Sequence, residues 1–418
     1  MELIENKQID EKIYIETLEN GMKVIIIPKE NTNKKYIVWG TKFGSIDNHF
    51  IDPESGEEIK VPDGVAHYLE HKMFEQENGV DSLYKLQALG LDANAYTTND
   101  HTAYLFTGTE NFYEGLDELM DYVQHPYFTD ENVEKERGII GQEIQRYDDE
   151  PVWSLYINSM KCLYKNNPIT IDPAGTIETI SHITKETLYS CYNTFYHPTN
   201  MTMCIAGDFK SEEIIEEIKK RLLKHDKEGE IKRFYPPYEE DINEKYKEKK
   251  MNVNMPIFMI GYRDFMKDMN KVKKDLAVKI IFNSIIGKCS KTYKSLYDEG
   301  LIMSELDCDF EFSDQYSHAL FSGESKEPKK VYDIIINALQ NEKITTEDFE
   351  RSKKRIYGEI VTQYEDVEEV GRMFLSDSIR GINSLEYINE INKITLDEIK
   401  DIQNKMFKLD KSILSVVD

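Results

Sequence analysis

The chain has little cysteine, no long apolar run and a deficit of positive charge. Its five cysteines (Cys162, Cys191, Cys204, Cys289, Cys308) are odd in number and scattered, and none forms a CxxC pair. That pattern fits buried free thiols in a reducing compartment. No run of about 18 apolar residues occurs, so nothing in the chain reads as a membrane-spanning helix. The start, MELIENKQIDEK, has no apolar core of signal-peptide length. These absences lead to the expectation of a cytoplasmic protein. Lysine and arginine number 52 against 78 aspartates and glutamates, a net charge of -26. Such a balance argues against nucleic acid and against an anionic membrane surface as partners, and it is compatible with basic peptides as ligands. Solubility alone accounts for most of it.

What remains is the composition of a folded chain. It has 418 residues, 40% of them hydrophobic and 11% aromatic, which suits two domains of about 200 residues each. IYIETLENGMKVIIIPKE alternates apolar and polar residues around Asn20-Gly21, the signal of a hairpin closed by a type I′ turn. KYIVWGTKFGS continues a sheet. Helical patterns follow from Gly64 to about Phe74 and from Asp81 to Leu89, then over 110–125, 130–149 and 184–196. Between them ANAYTTNDHTAYLFTGT reads as a strand pair turning at Asn99-Asp100, and NMTMCIAGDF reads as a closing strand. Blocks of strands and helices of this kind indicate an α+β fold.

Residues 228–250, EGEIKRFYPPYEEDINEKYKEKK, are charged, contain Pro236-Pro237 and lack clean periodicity. They are the expected linker, between a first domain over 1–227 and a second over 251–418. After the linker the element order begins again. ITKETLYSCYNTFYHPTNMTMCIAG from Ile183 matches ITLDEIKDIQNKMFKLDKSILSVVD from Ile394 in its opening, helix pattern and closing strand. VEKERGIIGQEI lies over FERSKKRIYGEI, and SLYKLQALGL over TYKSLYDEGL. The offsets run from 210 (Leu91 to Leu301) to 216 (Glu143 to Glu359). A steady offset of that size, far longer than a solenoid period, indicates two domains of one fold.

The same comparison separates the halves. VAHYLEHKMF carries His67 and His71 four residues apart with Glu70 between them, and the second half sets Val278, Phe282 and Ile281 opposite these three. Residues i and i+4 share a helical face, so both imidazoles can point at one ion. Two imidazoles and a carboxylate, with a fourth position open to water, compose a hydrolytic zinc site. Zinc would lower the pKa of that water to about 7, and Glu70 can take its proton. Acidic residues are too abundant for the residues alone to choose a third ligand. Glu136 and Glu143 share one face of a helix pattern. One could bind metal while the other orients a histidine, or both could be solvated. The remaining histidines (His49, His101, His125, His182, His197, His225, His318) have no spaced partner and read as structural.

HYLEH, with ERGIIGQE ending 72 residues after His71, resembles the pitrilysin/insulinase family of inverted-motif zinc peptidases. The resemblance covers essentially the whole chain, through NGMKVIIIP, GSIDN, ANAYTT and FYHPTNMTMCIAGDF. VPDGVAHYLEHKMFE is most like the short bacterial members of the YmfH type. The resemblance implies two homologous α+β domains, each a mostly antiparallel sheet packed with helices, facing each other across a peptide-binding chamber. It implies Zn2+ on His67, His71 and Glu143, with Glu70 as general base and Glu136 in support. It also implies that ANAYTT is a sheet edge to which extended substrate adds as a strand, so that Asn94, Ala95 and Tyr96 meet substrate mainly through backbone bonds.

One departure matters. Active members of the family carry an Arg and a Tyr in a second-domain segment that bends back to the metal and binds the substrate carbonyl. In the matching SKTYKSLYDEGLIMSEL, Tyr297 stands in place of the Arg, and Met303 or Ser304 near the place of the Tyr. Arg355 and Tyr364 are local substitutes only from outside that segment. Loss of such donors costs several kcal/mol of transition-state stabilisation. The expectation is therefore a zinc endopeptidase subunit completed by a homologous partner chain that lacks HxxEH, as a heterodimer, with a homodimer as the other arrangement. Its substrates would be peptides or flexible segments, and an acidic chamber would favour cationic ones. The alternative is a non-catalytic peptide-binding or scaffold subunit.

Overall fold

The computed structural model describes residues 1–223, 231–266 and 268–418. The chain forms two compact units. The first is built on a seven-stranded sheet, in the order Glu2–Asn6, Glu11–Thr17, Lys23–Pro28, Met201–Gly207, Lys35–Thr41, Thr102–Gly108 and Asp92–Thr97. Every pairing is antiparallel except that of Lys23–Pro28 with Met201–Gly207. The second unit holds a five-stranded sheet, in the order Tyr246–Lys249, Ser412–Val417, Ile257–Arg263, Ser317–Glu324 and Asp307–Phe312, with one parallel pairing at its first edge. Two mostly antiparallel sheets packed with helices make the α+β architecture expected from the repeat.

The central strands of the first unit are apolar on both faces, as in Val24–Ile27 and Ile37–Trp39, because helices cover both sides. On one face the helices Val65–Met73 and Phe112–Gln124 join the core of Trp39, Tyr104, Phe106 and Leu116. On the other, the helix Val367–Ile379 lies on the strands Lys35–Thr41 and Met201–Gly207. Gly371 permits that approach, since a Cβ there would come within 2.5 Å of the Tyr36 ring. The Asn99-Asp100 turn is tied to the same helix end, where Arg380 Nε donates to Asp100 Oδ2 at 2.8 Å.

Three expectations are corrected. First, the units are not contiguous stretches of chain. One comprises Met1–Ile144, Asp172–Tyr235 and Val361–Ser384, and the other Gln145–Ile171, Pro236–Ile360 and Leu385–Asp418. The helix Pro151–Leu163 lies before residue 227 yet packs on the strands Ser412–Val417 and Ile257–Arg263 of the second unit. Val367–Ile379 makes the reciprocal exchange. An apolar helical stripe marks a helix as packed without saying which sheet receives it.

Second, the stretch expected as a linker is largely built in. Residues 224–230, which end the expected first domain and begin the linker and which include His225, lie outside the described residues. Phe234 N–H donates to His49 O at 2.8 Å, and Tyr246–Lys249 is a strand. Lysine and glutamate on this exposed edge strand hide its alternation, a pattern common at sheet edges. Third, the Asn20-Gly21 turn is not type I′. Gly21 has φ 92° but Asn20 does not enter the left-handed region, and Leu18 N–H bonds Met22 O across a three-residue loop. Among the described residues, no helix is long and apolar enough to cross a membrane.

Candidate active site

The helix Val65–Met73 starts at Gly64, whose φ of 92° and lack of a Cβ let the chain turn against Ala174 O, 2.6 Å from where that Cβ would stand. Val65, Ala66, Leu69 and Met73 enter the core. That leaves His67 and His71 on a half-buried face, their ring centroids 4.6 Å apart. The second helix, Asp130–Asp148, begins with Asp130 and Glu131, which suit the positive end of its dipole. Val133, Ile140 and Ile144 anchor it to the same core. Tyr68 Oη donates to Val133 O and joins the two helices.

Their packing brings the distant glutamates to the histidines. His71 Nε2 stands 3.3 Å and His67 Nε2 3.7 Å from Glu143 Oε2. Among the described residues, His67, His71 and Glu143 form the group of metal-ligating side chains whose ligand atoms lie within 4.8 Å of one another. Glu136 Oε1 lies 3.1 Å from His71 Nδ1, which makes Nδ1 a donor and turns Nε2 toward Glu143. Two imidazoles and one carboxylate, converging on one point with one tautomer fixed from behind, suit a small divalent cation and zinc in particular.

Glu70, only 7% exposed, accepts a hydrogen bond from Thr97 Oγ1 at 2.6 Å. Burial pushes its carboxyl up to about 7, although the Thr97 bond works in the opposite sense. Burial pushes His67 down to about 4, and neighbouring His71 adds to this. His71 is also disfavoured as a cation by burial, but hydrogen bonds with Glu136 and Glu143 overcome this and raise it to about 10.

Thr97 links the site to the sheet edge. Among the described residues, Asp92–Thr97 is one of the two edge strands of the first sheet. Thr98 N–H donates to His101 O at 2.8 Å. Bonded and non-bonded pairs alternate back along an antiparallel ladder. Tyr96–Ala103 and Asn94–Leu105 are therefore bonded pairs, and the backbone groups of Ala93, Ala95 and Thr97 face outward. Of the three expected substrate contacts, only Ala95 turns its backbone to the free edge. Its N–H meets Asn94 Oδ1 at 2.9 Å. The Tyr96 ring packs edge-on against His101 at 5.6 Å.

The residues outside the cluster fall elsewhere. Tyr364 Oη, buried in the first unit, donates to Ser384 O at 3.2 Å. In the second unit Arg355 pairs with Glu305 and Glu359 at 2.9 and 2.8 Å. Tyr297 and Met303 are exposed. His101 bonds Asp100, and His318 Nδ1 lies 2.9 Å from Tyr164 Oη, as befits structural histidines. Sequence reasoning missed Thr97 and Lys72. The first stands in the ANAYTT segment already noted, but its role depends on strand register. The second is a lysine on the core face of the motif helix, a misfit that helical periodicity could have flagged.

A mixed sheet-and-helix unit carrying an HxxEH helix and a facing glutamate presents a candidate metal-binding centre. Comparison with known proteins agrees. The family model described as Insulinase (Peptidase family M16) matches residues 51–175, and that described as Peptidase M16 inactive domain matches residues 182–356. The chain belongs to the M16, or insulinase, family. A Bacillus subtilis (strain 168) protein named as the uncharacterized zinc protease YmfH is 38% identical over 415 residues, covering 98% of this chain and 97% of that one. An Arabidopsis thaliana protein named as a probable mitochondrial-processing peptidase subunit beta is 27% identical over 214 residues, 50% of this chain and 38% of that one. The crystal structure of an M16-like peptidase from Alicyclobacillus acidocaldarius matches with a TM-score of 0.92 at 31% identity, covering 99% of each chain.

Proposed function

We propose that the chain is a zinc-dependent endopeptidase subunit that cleaves peptides or flexible segments. The observation that carries this reading is the convergence of both imidazole Nε2 atoms on Glu143 Oε2. In this reading His67, His71 and Glu143 hold the metal. Bound zinc supplies Lewis acidity toward a water and the scissile carbonyl. Thr97 engages Glu70 Oε2, which leaves Oε1 to accept the proton of the attacking water and return it to the leaving amine. Glu136 acts as a hydrogen-bond acceptor that orients His71. The relatives' names as zinc proteases support the metal assignment, and the free cysteines support a reducing, cytoplasmic setting.

Extended substrate adds to the strand Asp92–Thr97 through the outward backbone groups of Ala95 and its neighbours at alternate positions. The acidic balance of the chain favours cationic peptides. Ala95→Pro removes an outward N–H and leaves the ladder bonds of Asn94 and Tyr96 in place. Its expected effect is a KM raised about fivefold, equivalent to about 1 kcal/mol for one backbone bond, with little change in kcat or melting temperature. Steady-state kinetics and thermal melts check this, and an unchanged KM would remove strand addition at Ala95.

Tyr297 and Met303, where carbonyl-binding donors are expected, favour completion by a homologous partner chain. The same observation favours the second reading, a peptide-binding or scaffold subunit. Metal analysis of the purified chain, with peptide cleavage alone and beside a homologous chain that carries the Arg and Tyr, separates the two. We expect about one zinc per chain, and cleavage that a chelator abolishes and added zinc restores. Zinc without cleavage in any combination supports the scaffold reading. Absence of zinc binding overturns the metal assignment.

A further inference from the structure

Lys72 directly follows His71 and is fully buried, with 0% of its surface exposed. On the helix Val65–Met73 it stands four residues after Tyr68 and three after Leu69, both also fully buried. Helical spacing therefore puts it on the core face, where an apolar side chain would fill the place at no cost in desolvation. A buried ammonium persists only where carboxylates compensate it. Lys72 Nζ lies 2.5 Å from Glu75 Oε2 and 3.7 Å from Glu136 Oε2. Glu136 thus divides its two oxygens: Oε2 turns to Lys72, and Oε1 meets His71 Nδ1 at 3.1 Å.

The terminal torsion of a glutamate is soft, so one contact alone would leave the Glu136 carboxylate free to swivel. A fixed cation at the second oxygen removes that freedom. We infer that Lys72 is a positioning residue for the metal: it holds Glu136 in the orientation that keeps His71 Nδ1–H engaged and His71 Nε2 aimed at Glu143. Glu75, more exposed than Glu136, anchors the ammonium from the other side. The inference rests on the zinc reading above.

The test uses the full chain as wild type, Lys72→Met, Lys72→Arg, Glu136→Gln and the double variant Lys72→Met/Glu136→Gln. Zinc affinity is read by competition with a chromogenic chelator, with no dependence on catalysis. Lys72→Met is expected to weaken zinc binding about tenfold, the lower end of effects seen when a ligand's supporting partner is lost. Lys72→Arg is expected to restore most of that loss. In the Glu136→Gln background Lys72→Met should add nothing, because the contact it acts through is already altered. Where Lys72→Met does not fold, Lys72→Gln carries the same expectation. Wild-type affinity in Lys72→Met, or the same loss with and without Glu136, overturns the inference alone. A wild type that binds no zinc overturns the peptidase reading and this inference together.

Discussion

Glu70→Gln should leave zinc binding intact and abolish peptide cleavage. The substitution is isosteric, and the Gln carbonyl can still accept from Thr97 Oγ1, the contact made at 2.6 Å by Glu70. The side chain is buried, so replacing a carboxylate with an amide should not destabilise the core and removes only the capacity to take a proton. A positioned general base contributes about 10²–10⁴-fold, and kcat is expected to fall by at least about that lower factor with KM nearly unchanged. Metal content should stay at the wild-type value, since Glu70 is outside the group whose ligand atoms converge. Cleavage within about tenfold of wild type would assign the base elsewhere. Loss of zinc along with activity would show that Glu70 helps to hold the metal.

Glu143→Ala should lose the metal, and Glu136→Gln should only weaken it. The two glutamates stand two turns apart on one helix face, and sequence alone treats them alike. Their surroundings differ. Glu143 Oε2 lies within 3.7 Å of both Nε2 atoms, whereas Glu136 reaches His71 through Nδ1, on the far side of the ring. Removing a ligand leaves two imidazoles, too few for a stable site. Removing a supporting acceptor costs about 10–100-fold in affinity. Neither side chain is in the hydrophobic core, so both variants are expected to fold. Equilibrium dialysis with metal analysis on wild type and both variants checks the order. Equal affinity for Glu143→Ala and wild type would move the third ligand to another residue.

The apparent contradiction in this protein lies between an intact metal cluster and a second half that lacks the expected carbonyl donors. The proposed partner chain would supply those donors with the residues as they stand. It also makes a practical demand: weak cleavage by the isolated chain says little until a homologous chain has been supplied. Zinc affinity is therefore the cleaner first readout, and both the Lys72 and the Glu143 tests use it.

Local spacing carried the legible part of the site. His67 and His71 share a face because a helix repeats every 3.6 residues, a rule that needs no knowledge of the rest of the fold. The helices Val65–Met73 and Asp130–Asp148 fall within a residue or two of their expected bounds, because their apolar positions recur at helical period. Repeat pairing likewise identified two related halves, since similar folds keep similar element order. Glu143 was different. Nothing within the chain's local pattern singles it out; only resemblance to a family points to it.

Other features followed only from long-range contacts. Thr97 engages Glu70 because the strand Asp92–Thr97 turns its odd-numbered residues toward the motif helix; a register slip by one residue would point it the other way. The same register turned the backbone of Ala95 outward and those of Asn94 and Tyr96 inward. The exchange of the helices Pro151–Leu163 and Val367–Ile379 between units was equally invisible, because amphipathic helices do not encode the sheet that they cover. The sequence by itself determined the HxxEH histidines, the glutamate between them and the two-fold repeat, since these depend on neighbours within a turn or on order along the chain. Tertiary structure decided how closely the Glu143 carboxylate meets both imidazoles, which threonine holds Glu70, and why a lysine is buried beside them, since each depends on side chains brought together from elements far apart in sequence.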